Sequence, residues 1–80
     1  MTSVHLEILV EPFRENEPGP HVQAVLSALD NAGVETDMGP FATTALTDVE
    51  TIAGAMADVI RSGVGAGATA LQFRLEVRDE

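Results

Sequence analysis

The sequence predicts an α+β domain, and three observations carry that reading. Apolar residues alternate with period two at both ends of the chain, they recur at helical spacing in two internal segments, and Gly and Pro punctuate the joints between these segments. Val4-His5-Leu6-Glu7-Ile8-Leu9-Val10-Glu11 is the first strand, with Val4, Leu6, Ile8 and Val10 on one face and His5, Glu7 and Glu11 on the other. Pro12 ends its pairing, and Arg14 to Pro20 is a polar loop in which Pro20 suits the first turn of a helix.

From His21 the period changes. Val22, Val25, Leu26 and Leu29 fall on one helical face, and Gly33 after Ala32 is a left-handed cap candidate. Val34 to Met38 reads as a short strand, Gly39-Pro40 as a break, and Phe41 to Leu46 as a third strand, since β-branched Thr43 and Thr44 suit a pleated surface. Thr47-Asp48-Val49-Glu50 fits a capping box with Thr47 as the cap. The helix it opens carries Val49, Ile52, Ala53, Met56, Val59 and Ile60 on one stripe, with Gly54 expected to mark close packing. Gly63-Val64-Gly65-Ala66-Gly67 is expected to dissolve that helix, and Leu71-Gln72-Phe73-Arg74-Leu75-Glu76-Val77 alternates as the last strand, with Leu71, Phe73, Leu75 and Val77 toward the core.

Both helices thus end in a Gly-Val pair, Gly33-Val34 and Gly63-Val64, which suggests two similar halves. Right-handed crossovers fold the order βαββαβ into a four-stranded antiparallel sheet with two helices on one face, the ferredoxin-like arrangement. With 80 residues the chain is expected to form one such domain, residues 1–80, thin enough in its core for self-association to be a common remedy.

Four basic residues against thirteen acidic ones give a formal charge of −9. Such a field repels phosphate backbones and anionic bilayers, so neither nucleic acid nor membrane is an expected partner; it suits a cationic ligand, or simply keeps the chain in solution. Without cysteine there is no disulfide framework and no thiolate metal site. The start of the chain carries no basic segment followed by an apolar one, and no apolar run approaches about 18 residues, so a soluble cytoplasmic protein is expected.

A sheet covered on one side leaves its other side to explain. There the first strand puts His5, Glu7, Leu9 and Glu11, and its expected neighbour puts Gln72, Arg74 and Glu76, so Arg74 is placed to pair with Glu7 or Glu11 across strands. Exposed pairs of that kind contribute under about 1 kcal/mol each. The face is therefore either merely solvated or stacked on another subunit around a shared polar pocket. His5 and His21 lack metal-pair spacing and read as surface residues, although His21, near a helix start, suits an anionic group. No Ser-His-Asp set, phosphate loop or HExxH pattern occurs. Glu7 and Glu11 share a face but stand about 13 Å apart, too far for paired acid–base work on one bond. No catalytic residue and no metal ligand is expected.

Over almost its whole length the chain resembles the YkoF-like thiamine-binding family of small ferredoxin-like domains. The resemblance rests on Val10-Glu11-Pro12 closing the first strand, on His21 to Leu29 running into Ala32-Gly33-Val34, on Gly39-Pro40-Phe41-Ala42-Thr43-Thr44, and on Phe73-Arg74-Leu75-Glu76-Val77. It implies binding of thiamine or its hydroxymethylpyrimidine part, no catalysis and no further cofactor, and assembly into dimers and tetramers through the sheets. The family's strand threonine corresponds to Thr43, with Thr44 beside it. Two positions depart from the family pattern: Leu46-Thr47 stand where an acidic residue and glycine usually follow, and Glu11 stands where an aromatic often precedes the proline. Thiamine carries a permanent positive charge and an aminopyrimidine. Glu7 or Glu11 could take its amine hydrogens or offset the charge, while Thr43 and Thr44 donate to ring nitrogens and Phe41 supplies a flat wall or belongs to the core. The rival to this reading is a structural or regulatory oligomerisation module without a ligand. An enzyme built on a dimeric ferredoxin-like barrel would need a positioned base and its partner, which the sequence does not offer.

Overall fold

The computed structural model describes residues 2–12, 19–39 and 42–78. Along these the chain forms β1 (Ser3–Glu11), α1 (Pro20–Asn31), β2 (Thr36–Met38), β3 (Thr43–Asp48), α2 (Val49–Gly65) and β4 (Ala70–Arg78). The strands make one sheet in the order β2-β3-β1-β4 with every neighbouring pair antiparallel, the ferredoxin-like topology expected from the order of periods.

The alternation of β1 resolves as the sequence demands. Val4, Leu6, Ile8 and Val10 are buried, while His5, Glu7, Leu9 and Glu11 keep partial exposure. The buried four meet Val22, Val25, Ala28 and Leu29 of α1, Ile52 and Val59 of α2, Val34 and Ala45, so the core lies between the sheet and one helical layer. No helix among the described residues is long and apolar enough to cross a membrane.

The exit of α1 is the one expected from the sequence, and that of α2 is not. α1 ends at Asn31, Gly33 follows the Ala32 cap with a φ of +82° that only glycine adopts cheaply, and the Val34 amide donates back to the Leu29 carbonyl at 3.0 Å. The matching stop on α2 is not Gly63-Val64. The helix runs on to Gly65, Gly67 takes the positive φ of +107°, and the Ala68 amide donates to the Gly63 carbonyl at 2.9 Å. The two helix exits are alike, with that of α2 four residues later than Gly63-Val64 suggested. Gly63 stays helical because it is buried where α2 passes Val25 and Leu71, where only a hydrogen fits. Gly54, expected to be the close-packing glycine, has open space around it.

The cap of α2 is Asp48 rather than Thr47. β3 stays paired through Asp48, which opposes Ser3, so the backbone of Thr47 is still strand. Asp48 then accepts from the Thr51 amide at 3.1 Å and from the Thr51 hydroxyl at 2.7 Å. The apolar stripe of α2 is also rotated: Ile52, Ala55, Val59 and Gly63 are buried with Met56 against them, whereas Val49, Ala53 and Ile60 are exposed. On β4, Leu71 and Phe73 reach the core, but Leu75 and Val77 do not. Gly63 of α2 packs against Leu71 near the start of β4, while Leu75 and Val77 further along the strand stay exposed.

Candidate functional site

The face of the sheet turned away from the helices is set by register. Residues directly opposed on antiparallel strands share a face, so one row runs Asp37, Thr44, Glu7, Arg74 across all four strands. A second row runs Leu46, His5, Glu76 across β3, β1 and β4. Neighbouring strands stand about 4.8 Å apart. Thr44 therefore sits between two carboxylates, one strand away on either side, and its hydroxyl lies 3.5 Å from the Asp37 carbonyl.

At the β2 corner of this face is a shallow, open recess of about 310 Å³ lined by His5, Glu35, Thr36, Asp37, Thr44 and Leu46. It collects two carboxylate residues, a histidine and two threonines beside Leu46, which is 66% exposed. A carboxylate accepts amine hydrogens, and a hydroxyl both donates and accepts. The walls thus suit a small, flat group bearing an amine and a positive charge. Among the described residues no group of three or more His, Asp or Glu side chains is arranged to hold a metal ion.

Not every residue singled out by the sequence is brought here. Thr44 lines the recess. Thr43, its neighbour, opposes Ile8 on the helix side of the sheet and is only 7% exposed, because two successive strand residues must face opposite ways. Glu7 lies in the row beside Thr44, just outside the recess. Glu11 is at the far end of β1, where the Gln72 amide approaches it at 3.5 Å. Phe41, and with it the start of the expected third strand, lies outside the described residues, as does the acidic tail Asp79-Glu80. Sequence reasoning missed Glu35 and Asp37. Three residues of β2 are too few to show a period, although Glu35-Thr36-Asp37 does alternate acid, hydroxyl, acid.

The expected cross-strand ion pair from Arg74 is not formed. Arg74 opposes Glu7 in register, yet its guanidinium pairs at 3.3 Å with Glu76, two residues along the same strand, and Arg78 closes on Glu76 from the other side at 3.0 Å. The hydrogen bond from Arg74, reinforced by Arg78, holds the Glu76 carboxyl below its ordinary range. Asp48 is likewise held low, first by the Thr51 hydroxyl and then by the Thr51 amide. Among the described residues Glu7 has no ion-pair partner. His21, at the other end of the molecule, places Nε2 2.6 Å from the Pro12 carbonyl, so that nitrogen is the donor, and it ties the exit of β1 to the first turn of α1.

No protein-family profile matches the chain, and no curated protein sequence matches it. Solved structures do share its fold. A domain of unknown function, DUF77, from Bacillus cereus superposes with a TM-score of 0.67 at 17% identity, covering 100% of this chain and 79% of that one. A candidate thiamine biosynthesis/salvage protein of Thermotoga maritima superposes with a TM-score of 0.67 at 19% identity, covering 98% and 84% respectively. A protein from Streptococcus pneumoniae gives a TM-score of 0.68 at 12% identity, covering 100% and 88%. At these identities the likeness is one of fold.

Proposed function

We propose that this chain is a cytoplasmic, non-enzymatic binder of thiamine or its hydroxymethylpyrimidine part, and that copies associate with their open faces toward each other so that the ligand is shielded. The carrying observation is the placement of Thr44 between Asp37 and Glu7 at the border of the acidic recess. The aminopyrimidine offers a donor to a carboxylate and acceptors to the Thr44 hydroxyl, and the chain's charge of −9 offsets the cationic ring. At about 310 Å³ the recess is at the small end of ligand sites, adequate for one substituted heteroaromatic ring. Being open, it needs a second wall, and exposed Leu46 beside it is an apolar contact for a facing copy. The fold shared with the Thermotoga maritima protein is in keeping with this reading.

Isothermal titration of the protein with thiamine and with hydroxymethylpyrimidine tests it. Saturable heat and a raised melting temperature are expected. Absence of both at millimolar ligand removes the ligand reading and leaves the rival, a self-association module in which facing Leu46 side chains fill the recess.

A further inference from the structure

Antiparallel register sets Arg74 directly opposite Glu7 on the open face, the placement in which opposite charges ordinarily pair across strands. The guanidinium turns along its own strand instead, with Nη2 3.3 Å from Glu76 Oε2. Arg78 comes from the other side, its Nε and Nη2 lying 3.1 and 3.0 Å from Glu76 Oε1. Each oxygen of Glu76 thus holds one arginine, and these two are half of the four basic residues in the chain. The Arg74 side chain is 60% exposed and has room to turn, so its choice of carboxylate fixes where its charge sits. Among the described residues neither Glu7 nor Asp37 has an ion-pair partner. The row Asp37, Thr44, Glu7 therefore keeps its negative charge beside the recess.

We propose that Glu76 is a positioning residue for the recess: it holds Arg74 away from Glu7, so that the Glu7 carboxylate is left for the amine or the cationic ring of a ligand. The consequence for binding rests on the ligand reading above, whereas the placement of Arg74 does not depend on any ligand. Two carboxylates compete for this guanidinium, Glu76 two residues along the same strand and Glu7 on the neighbouring one. Arg78 fixes the Glu76 carboxylate by Oε1 and leaves Oε2 for Arg74. A carboxyl gripped from both sides is held low, by Arg74 first and then by Arg78, in keeping with this arrangement. Arg74 is in effect a cation built into the border of the site. Turned across to Glu7, it would stand one strand from Thr44, and a cationic ligand would have to displace it before using that carboxylate.

Two double variants of equal net charge, titrated with thiamine, provide the test. Glu76→Gln keeps the shape of the side chain and removes its charge, which leaves Glu7 as the carboxylate directly opposite Arg74. Thiamine affinity is expected to fall about threefold to fivefold, the most that an exposed ion pair withholds. Adding Arg74→Gln to Glu76→Gln removes the competitor and is expected to restore the wild-type affinity. Adding Arg78→Gln instead gives the same net charge but leaves Arg74 to reach Glu7, so the affinity is expected to stay low. A readout without ligand runs beside this one. In urea unfolding, the midpoint shifts from Glu7→Gln and Arg74→Gln are expected to add in the wild type, whereas in Glu76→Gln the two together should shift it by less than their sum. An unchanged affinity in Glu76→Gln, equal affinities in the two double variants, or simple addition in Glu76→Gln would each overturn the proposal. A wild type that takes up no thiamine, with the coupling present in Glu76→Gln, would strike the ligand reading alone and bear out the hold of Glu76 on Arg74.

Discussion

Gly63 and Val25 approach so closely that a Cβ on Gly63 would lie 2.9 Å from Val25 Cγ2, with Leu71 Cδ2 at 3.4 Å on its other side. The close passage of α2 over α1 depends on that missing methyl. Val25 is fully buried and β-branched on a helix, so it has no free rotamer to retreat into. Gly63→Ala is therefore expected to destabilise the fold, the overpacking of about 1–3 kcal/mol outweighing the gain of about 1 kcal/mol in helix propensity. Gly54, in the same helix, has nothing within 4 Å of where its Cβ would be. Gly54→Ala is expected to stabilise by about 1 kcal/mol. Urea unfolding of both variants would show their midpoints moving in opposite directions, and movement the same way would refute the packing argument.

The contrast between these two glycines also shows what was legible in the sequence. β1 and α1 were readable because their apolar residues form a single narrow pattern that admits one face. In α2, Val49, Ala53, Ile60 and Val64 extend the apolar arc well past the part that is buried, so spacing alone does not say which side meets the sheet. Only the positions of Gly63 against Val25 and Leu71 decide it. Thr43 and Thr44 pose the same problem in a strand: both are plausible site residues until pairing with Ile8 and Glu7 assigns one to each face. Glu35 and Asp37 were illegible for want of length, since β2 has too few residues to carry a pattern.

Asp48 joins β3 to α2 by capping Thr51, and its carboxyl is held below the ordinary aspartate range by the Thr51 hydroxyl and amide. A carboxyl whose folded-state pKa lies below its unfolded value adds stability that is complete above the unfolded pKa and is lost as pH falls through the folded one. Asp48→Ala is expected to lower the melting temperature near neutral pH and to flatten the decline in stability below about pH 4. Asp48→Asn, which can still cap, should keep most of the neutral-pH stability and lose the same acid dependence. Thermal melts between neutral and acid pH check this, and an Asp48→Asn curve parallel to wild type at low pH would contradict it.

Thr43 and Thr44 offer a test of which face carries the proposed site. Thr44→Val removes a hydroxyl from the border of the recess and is expected to weaken thiamine binding about tenfold, the equivalent of one hydrogen bond, with the fold unchanged. Thr43→Val replaces a hydroxyl that lies among apolar neighbours on the helix side, so binding should be untouched and the melting temperature equal or higher. Titration of both variants decides the matter. A larger loss from Thr43→Val than from Thr44→Val would move the site off the open face.

Leu46 stands in the row with His5 and Glu76 on the open face of the sheet and is the most exposed large apolar residue of the described chain. If open faces of two copies shield each other, Leu46 is buried between them, and a carboxylate there would be desolvated against its own like-charged copy and the nearby acids Glu35 and Asp37. Leu46→Glu should then split face-to-face association. Light scattering is expected to show the particle halving in mass, with thiamine affinity falling in parallel because the second wall is gone. An unchanged mass would mean that the open face is not a contact between copies. An intact thiamine affinity in a particle of halved mass would mean that one copy suffices to hold the ligand.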